Sequence, residues 1–164
     1  MKRIHIILLL VIPLGSCSQE FELTNPNVNE LKSILGNRTT SEDVVYLYFA
    51  RNYDSIAVKR EVKYYDYEPR LVCGFSQDFQ GGITYTIDQC DEAAGISTTI
   101  VLPKIEEDKV KRWVEQIYRA EITDLPNEWY PDKNIYGPVG EEAGCYYELK
   151  SGDNNWIIDI YCGC

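Results

Sequence analysis

The stretch Ile83-Thr84-Tyr85-Thr86-Ile87-Asp88, followed at Ile96 by Ile-Ser-Thr-Thr-Ile-Val-Leu-Pro103 and then by Ile105 to Glu121, decides the fold. Ile83, Tyr85 and Ile87 alternate with Thr84 and Thr86, and Ile96, Thr98, Ile100 and Leu102 alternate with Ser97, Thr99 and Val101. Period-two patterning of this kind predicts antiparallel strands with one face covered and one face wet. After Pro103 the period changes. Val110, Trp113, Val114 and Ile117 fall at i, i+3, i+4 and i+7, a single apolar stripe on a helix. Glu107 with Lys111, Asp108 with Arg112, and Glu115 with Arg119 are acid-then-base pairs four apart, the order that supports a helix. Trp113 on the stripe reads as a core anchor. The expected fold class is α+β: a mostly antiparallel sheet of about six or seven strands, one principal helix packed on one face, and a C-terminal β-hairpin.

Working outward, Arg70 to Ser76 reads as a further strand, joined to the first by a turn at Gly81-Gly82. Val44 to Ala50 is rich in β-branched and aromatic residues and reads as a strand. The rival is a helix from Ser41, because Ser41-Glu42-Asp43 offers a cap. Arg51 to Ser55 reads as a turn and Ile56 to Tyr65 as a return strand. Leu31, Ile34 and Leu35 suggest a short helical turn stopped at Gly36. Cys145 to Lys150, Ser151 to Asn154 and Asn155 to Cys162 read as strand, turn and strand. The turn lacks the spaced carboxylates of a calcium loop, and no metal or cofactor site is expected.

Two parts of the chain could meet a partner. Thr123 to Gly144 reads as a long connection without regular structure, with Pro126, Pro131 and Pro138 in it. Such loops are often functional. Trp129, Tyr130, Glu141 and Glu142 make it the candidate binding loop, against the alternative that Trp129 simply packs the loop down. Tyrosines also gather in two clusters, Tyr46, Tyr48 and Tyr53, then Tyr64, Tyr65 and Tyr67. Such rings either fill a sheet or stack on sugars and protein surfaces.

The N-terminus begins Lys2-Arg3, runs apolar from Ile4 to Leu14 and closes on Leu14-Gly15-Ser16-Cys17. The apolar run is about half the ~20 residues a membrane span needs. Charge, then a short apolar segment, then small residues is the layout of a secretory signal. The segment resembles a bacterial lipoprotein signal peptide with its lipobox. That resemblance implies removal of residues 1–16, acylation of Cys17 and attachment to the membrane through lipid. It further implies a cell-envelope address, with Ser18 after the cysteine favouring the outer membrane, on its periplasmic or cell-surface side. Gln19-Glu20-Phe21-Glu22 loosely resembles the acidic surface-export tags of lipoproteins in Bacteroidetes-type bacteria, and Asp54-Ser55-Ile56 resembles their short O-glycosylation motif. The expected organisation is a signal peptide over 1–16, a lipidated cysteine with its tether over 17–29, and one globular domain over 30–164.

Cleavage before Cys17 removes Lys2 and Arg3 and no acid. It leaves 14 basic against 26 acidic residues, a formal charge of −12, on 148 residues. A balance this acidic argues against nucleic acid, whose binding needs Lys and Arg on phosphates. It favours encounter with a basic partner. The single histidine, His5, leaves with the signal. A chain starting at Cys17 therefore has no histidine for triads, general base catalysis or zinc. No phosphate-cradling glycine loop or dinucleotide fingerprint is present.

Beyond Cys17 there are five cysteines: Cys73, Cys90, Cys145, Cys162 and Cys164. Export implies an oxidising compartment and pairing. If the strands pair as expected, Cys73 meets Cys90, and Cys145 meets Cys162 or Cys164. No catalytic residue can be nominated. The first functional expectation is a non-enzymatic binding or inhibitory module for a basic envelope protein. The alternatives are a glycan-binding accessory lipoprotein, a histidine-free hydrolase using two carboxylates, and a structural envelope component.

Overall fold

The computed structural model describes residues 21–37, 43–91, 95–122, 125–140 and 143–163. Cys17, Glu141, Glu142 and Cys164 lie outside the described residues. The chain runs α1 (Val28–Asn37), α2 (Val44–Asn52), β1 (Arg60–Tyr64), β2 (Val72–Phe79), β3 (Ile83–Asp88), β4 (Ile96–Pro103), α3 (Glu107–Glu121), β5 (Asn127–Tyr130), β6 (Ile135–Pro138), β7 (Gly144–Ser151) and β8 (Asn155–Gly163). All eight strands join one antiparallel sheet in the order β1-β2-β3-β4-β8-β7-β6-β5.

That order repeats itself. A helix followed by a four-stranded meander (α2, β1 to β4) is succeeded by a second helix and meander (α3, β5 to β8). The last strands of the two units, β4 and β8, pair antiparallel at the centre, Ile100 opposite Ile158. Both isoleucines are fully buried. Each unit alone would leave its helix on a small sheet. Joining them through β4 and β8 makes one continuous core under all the helices.

The core lies between the helices and one face of the sheet. Val110, Trp113, Val114 and Ile117 of α3 are buried, as their spacing predicts, and Tyr118 and Ala120 extend the stripe. The Trp113 ring lies 5.5 Å from Tyr48 and 5.6 Å from Phe49 of α2. From the sheet, Phe79, Ile83, Tyr85, Leu102, Tyr147 and Trp156 point into the same layer. The opposite face carries hydroxyls and ion pairs. Arg60 meets Asp78 at 2.6 Å, Lys63 meets Asp88 at 2.6 Å, and Thr99 donates to Asp159 at 2.7 Å.

Several elements differ from expectation. Among the described residues the sheet has eight strands rather than six or seven, and it carries three helices rather than one principal helix. Residues 44–50 are helical. Asp43 caps α2 by accepting the Tyr46 N–H at 2.7 Å, and Val44, Val45, Tyr48 and Phe49 are buried. The capping geometry and the one-sided burial outweigh the β-branched composition. Only Arg60–Tyr64 of the expected strand 56–65 forms, with an isolated bridge from Ser55 to Phe79. The Thr123 to Gly144 connection contains β5 and β6, which close a hairpin on β7. Gly36 sits inside the last turn of α1 and does not stop it. The expected tether is docked from Phe21 onward: Leu23 is buried in the core and α1 begins at Val28.

Among the described residues Cys73 and Cys90 form one disulfide, and Cys145 and Cys162 form another. The backbone explains both. Gly74 pairs with Asp88 and the Gln89 N–H donates to the Cys73 carbonyl at 2.9 Å, which brings Cys90 beside Cys73. Cys145 and Cys162 are direct cross-strand partners, with Cα atoms 4.0 Å apart.

Candidate interaction surface

The expected binding loop is largely packed. Trp129 on β5 turns toward α3. Its indole N–H donates to Glu115 Oε1 at 2.9 Å, and its ring lies 5.1 Å from that of Tyr136. Lys111 Nζ stands 5.2 Å from the centre of the same ring. The Tyr130 hydroxyl donates to the Pro138 carbonyl across the hairpin. Both aromatics are half-buried.

The two tyrosine clusters separate. Tyr46 and Tyr48 lie on α2 and are buried, and Tyr53 caps its C-terminus and packs on Phe49. The second cluster is at the surface. β1 is an edge strand whose five residues are all exposed, and it carries two breaks in register against β2 and a positive φ at Glu61. The Tyr65 N–H donates to the Leu71 carbonyl at 3.0 Å and closes a loop over Asp66 to Arg70. On that loop the Tyr65 and Tyr67 rings stack at 5.0 Å. Asp66, Tyr67, Glu68 and Arg70 line a hollow of about 290 Å³.

Exposed large apolar residues concentrate on this edge. Among the described residues there are eleven, and seven lie between 56 and 72: Ile56, Val58, Val62, Tyr64, Tyr67, Leu71 and Val72. Val58 is 84% exposed and Leu71 53%. Chance scatter of single apolar residues needs no explanation, but a concentration along one sheet edge does. The strip follows the sheet edge from Ile56, whose N–H bonds Asp78, through β1 to the hairpin tip.

Charge on this edge is sorted. Arg60 and Lys63 reach back onto the sheet to Asp78 and Asp88. Lys59 Nζ sits over the Tyr46 and Phe75 rings at 4.5 and 4.0 Å. Asp66 and Glu68 remain at the exposed tip, with Arg70 beside them. The tip thus offers tyrosine rings and a leucine flanked by carboxylates.

No family model, curated protein or solved structure matches this chain. The site therefore rests on its own geometry.

The carboxyl of Asp43 is no substitute for an open catalytic pair. Besides capping α2 it accepts from the Tyr85 hydroxyl at 2.7 Å and the Thr98 hydroxyl at 3.4 Å. Burial pushes its pKa up, against the lowering by the Tyr46 N–H and these hydroxyls. Glu121 accepts from the fully buried Tyr147 hydroxyl at 3.2 Å. Burial raises that phenol well above its usual range. Both contacts pin helix ends to the sheet. Among the described residues no group of three or more His, Cys, Asp and Glu is placed to hold a metal ion, and no helix is long and apolar enough to cross a membrane.

Sequence reading missed Val58, Leu71 and Val72 as surface residues. The available signal was the run Tyr64-Tyr65-Asp66-Tyr67-Glu68-Pro69, where aromatics alternate with acids into a proline, the composition of a turn rather than of a buried strand.

Proposed function

We propose that this chain is a lipid-anchored, non-enzymatic module of the bacterial envelope that binds, and thereby restrains or recruits, a basic envelope protein through the β1 edge and its hairpin tip. The concentration of exposed apolar residues between Ile56 and Val72 carries the proposal. Aromatic residues in a water-exposed strip are the usual anchors of a protein interface. The acidic tip and the −12 charge expected of the processed chain favour a cationic face opposite them.

The test is a pull-down from the producing organism's envelope with the parent protein and with the Tyr67→Ser/Leu71→Ser double variant. A basic protein retained by the parent, lost from the variant and released as salt rises is the expected result. Retention by the variant, or indifference to salt, would refute the reading. A second reading is favoured by the stacked Tyr65 and Tyr67 rings beside Asp66 and Glu68: the same tip offers aromatic and carboxylate groups to a sugar. Binding on a glycan array that Tyr67→Ser abolishes would favour a glycan partner.

A further inference from the structure

We infer that the end of the molecule around Phe21 rests on the anchoring bilayer, and that the tyrosine hairpin lies at the opposite end of β2. The inference rests on acylation at Cys17 and adds the orientation of the domain.

The leash is short because the chain is already fastened at Phe21. The Tyr53 hydroxyl donates to the Glu22 carbonyl at 3.0 Å and accepts the Thr24 N–H at 3.0 Å. The Tyr48 hydroxyl donates to the Thr24 carbonyl, and Leu23 is buried. The Phe21 ring lies against the β2–β3 turn, so close to Gly81 that a Cβ there would stand 2.9 Å from the ring. Gly81 also has φ +83°, which a side chain would strain. From Cys17 to Phe21 there are four residue steps, which even fully extended span roughly 14 Å. A lipidated Cys17 must therefore lie within that distance of Phe21.

The turn at Phe21 lies at one end of the strands. Gly82 adjoins Pro103 at the end of β4, and the Lys104 N–H donates to the Asn154 carbonyl in the β7–β8 turn at 3.1 Å. Residues 80–82, 103–106 and 151–154 thus form one base. A hollow of about 340 Å³ beside it is lined by Phe21, Leu23, Ile105, Glu106, Lys109 and Arg112, among others. At this end Lys104 reaches Ser151 and the Gly152 carbonyl in the β7–β8 turn, and Lys109 pairs with Glu106.

The hairpin tip lies at the other end of β2. Eight residues separate the turn from the tip, and at ~3.3 Å each they place it roughly 25 Å away. The lipid holds one end of β2 and the tyrosine tip lies at the other, so a partner seated on that tip is engaged away from the anchoring membrane.

The test is energy transfer from a donor fluorophore to acceptor lipids, using the native lipidated protein in vesicles. The donor sits at Asp153 in one preparation and at Asp66 in a second. Transfer several-fold stronger from position 153 is expected. Equal transfer, or stronger transfer from 66, would overturn the orientation while leaving the anchor intact. A product without acyl mass that stays off the vesicles would overturn the anchor, and the orientation with it. Inserting a Gly/Ser segment of about twelve residues after Ser18 adds roughly 20 Å of reach and should erase the difference. A difference that survives the insertion would mean that something other than the leash sets it, and would overturn the leash argument.

Discussion

Asp43 shows how one side chain holds two layers together. It caps α2 and receives two hydroxyls from the sheet beneath. Asp43→Ala should lower stability by about 2 kcal/mol, from the lost cap and the unpaired Tyr85 hydroxyl. Chemical denaturation would measure it. The pH dependence follows from the direction of the shift. The folded pKa of Asp43 is raised above 3.8. Its contribution is therefore complete below the unfolded value and is lost as pH rises through the folded one. Asp43→Asn should remove that loss, so the variant's stability rises relative to the parent's as pH climbs above 3.8 through the folded value. Equal slopes for the two proteins would contradict this. Asp88 works the other way. The hydrogen bond from Lys63 holds its carboxyl below 3.8, so its contribution is lost as pH falls through the folded value. Being exposed and screened, that pair contributes little.

At the scale of elements, α3 is the part most legible in the residues. Its stripe, its paired charges and its acidic first turn agree, and the burial of Val110, Trp113, Val114 and Ile117 follows. Trp113→Ala should cost about 3–5 kcal/mol, read as a drop in denaturation midpoint. The alternation in β3 and β4 is equally direct. Residues 44–50 mislead because Val, Tyr and Phe favour strands on average, while a cap at Asp43 and a sheet below reward a helix here. Residues 127–138 mislead because four-residue strands between prolines have too little pattern to read. The disulfides staple one hairpin and one strand pair. Replacing Cys73 and Cys90 together with Ala should cost about 2–4 kcal/mol in the unfolding equilibrium. The β1–β2 hairpin behaves differently. Tyr67→Ser and Leu71→Ser remove exposed groups, so the midpoint should stay within about 0.5 kcal/mol while partner binding falls. A large loss of stability would show the tip to be structural instead.

The whole molecule is a helix-and-meander unit used twice and joined through β4 and β8. Its helices cover one face of the sheet, and the other face is closed off by its own ion pairs and hydroxyl bonds. What remains unsatisfied is the β1 edge. The opposite edge is blunted, since β5 is four residues long and lies between Pro126 and Pro131. Association with a basic partner should weaken steeply with ionic strength over roughly one Debye length of screening, ~10 Å at 0.1 M. Titrating salt against the equilibrium constant would check this.

Local patterning determined by itself the antiparallel character of the sheet, the position of α3 and the lipobox resemblance. Those are properties of neighbours along the chain. Tertiary structure alone decided that Val44 to Asn52 is a helix, that Phe21 is fastened to the domain, and that one tyrosine cluster is core while the other is surface. Each of those depends on which distant residues supply a partner. Two runs of similar composition part ways because only one of them has a sheet beneath it.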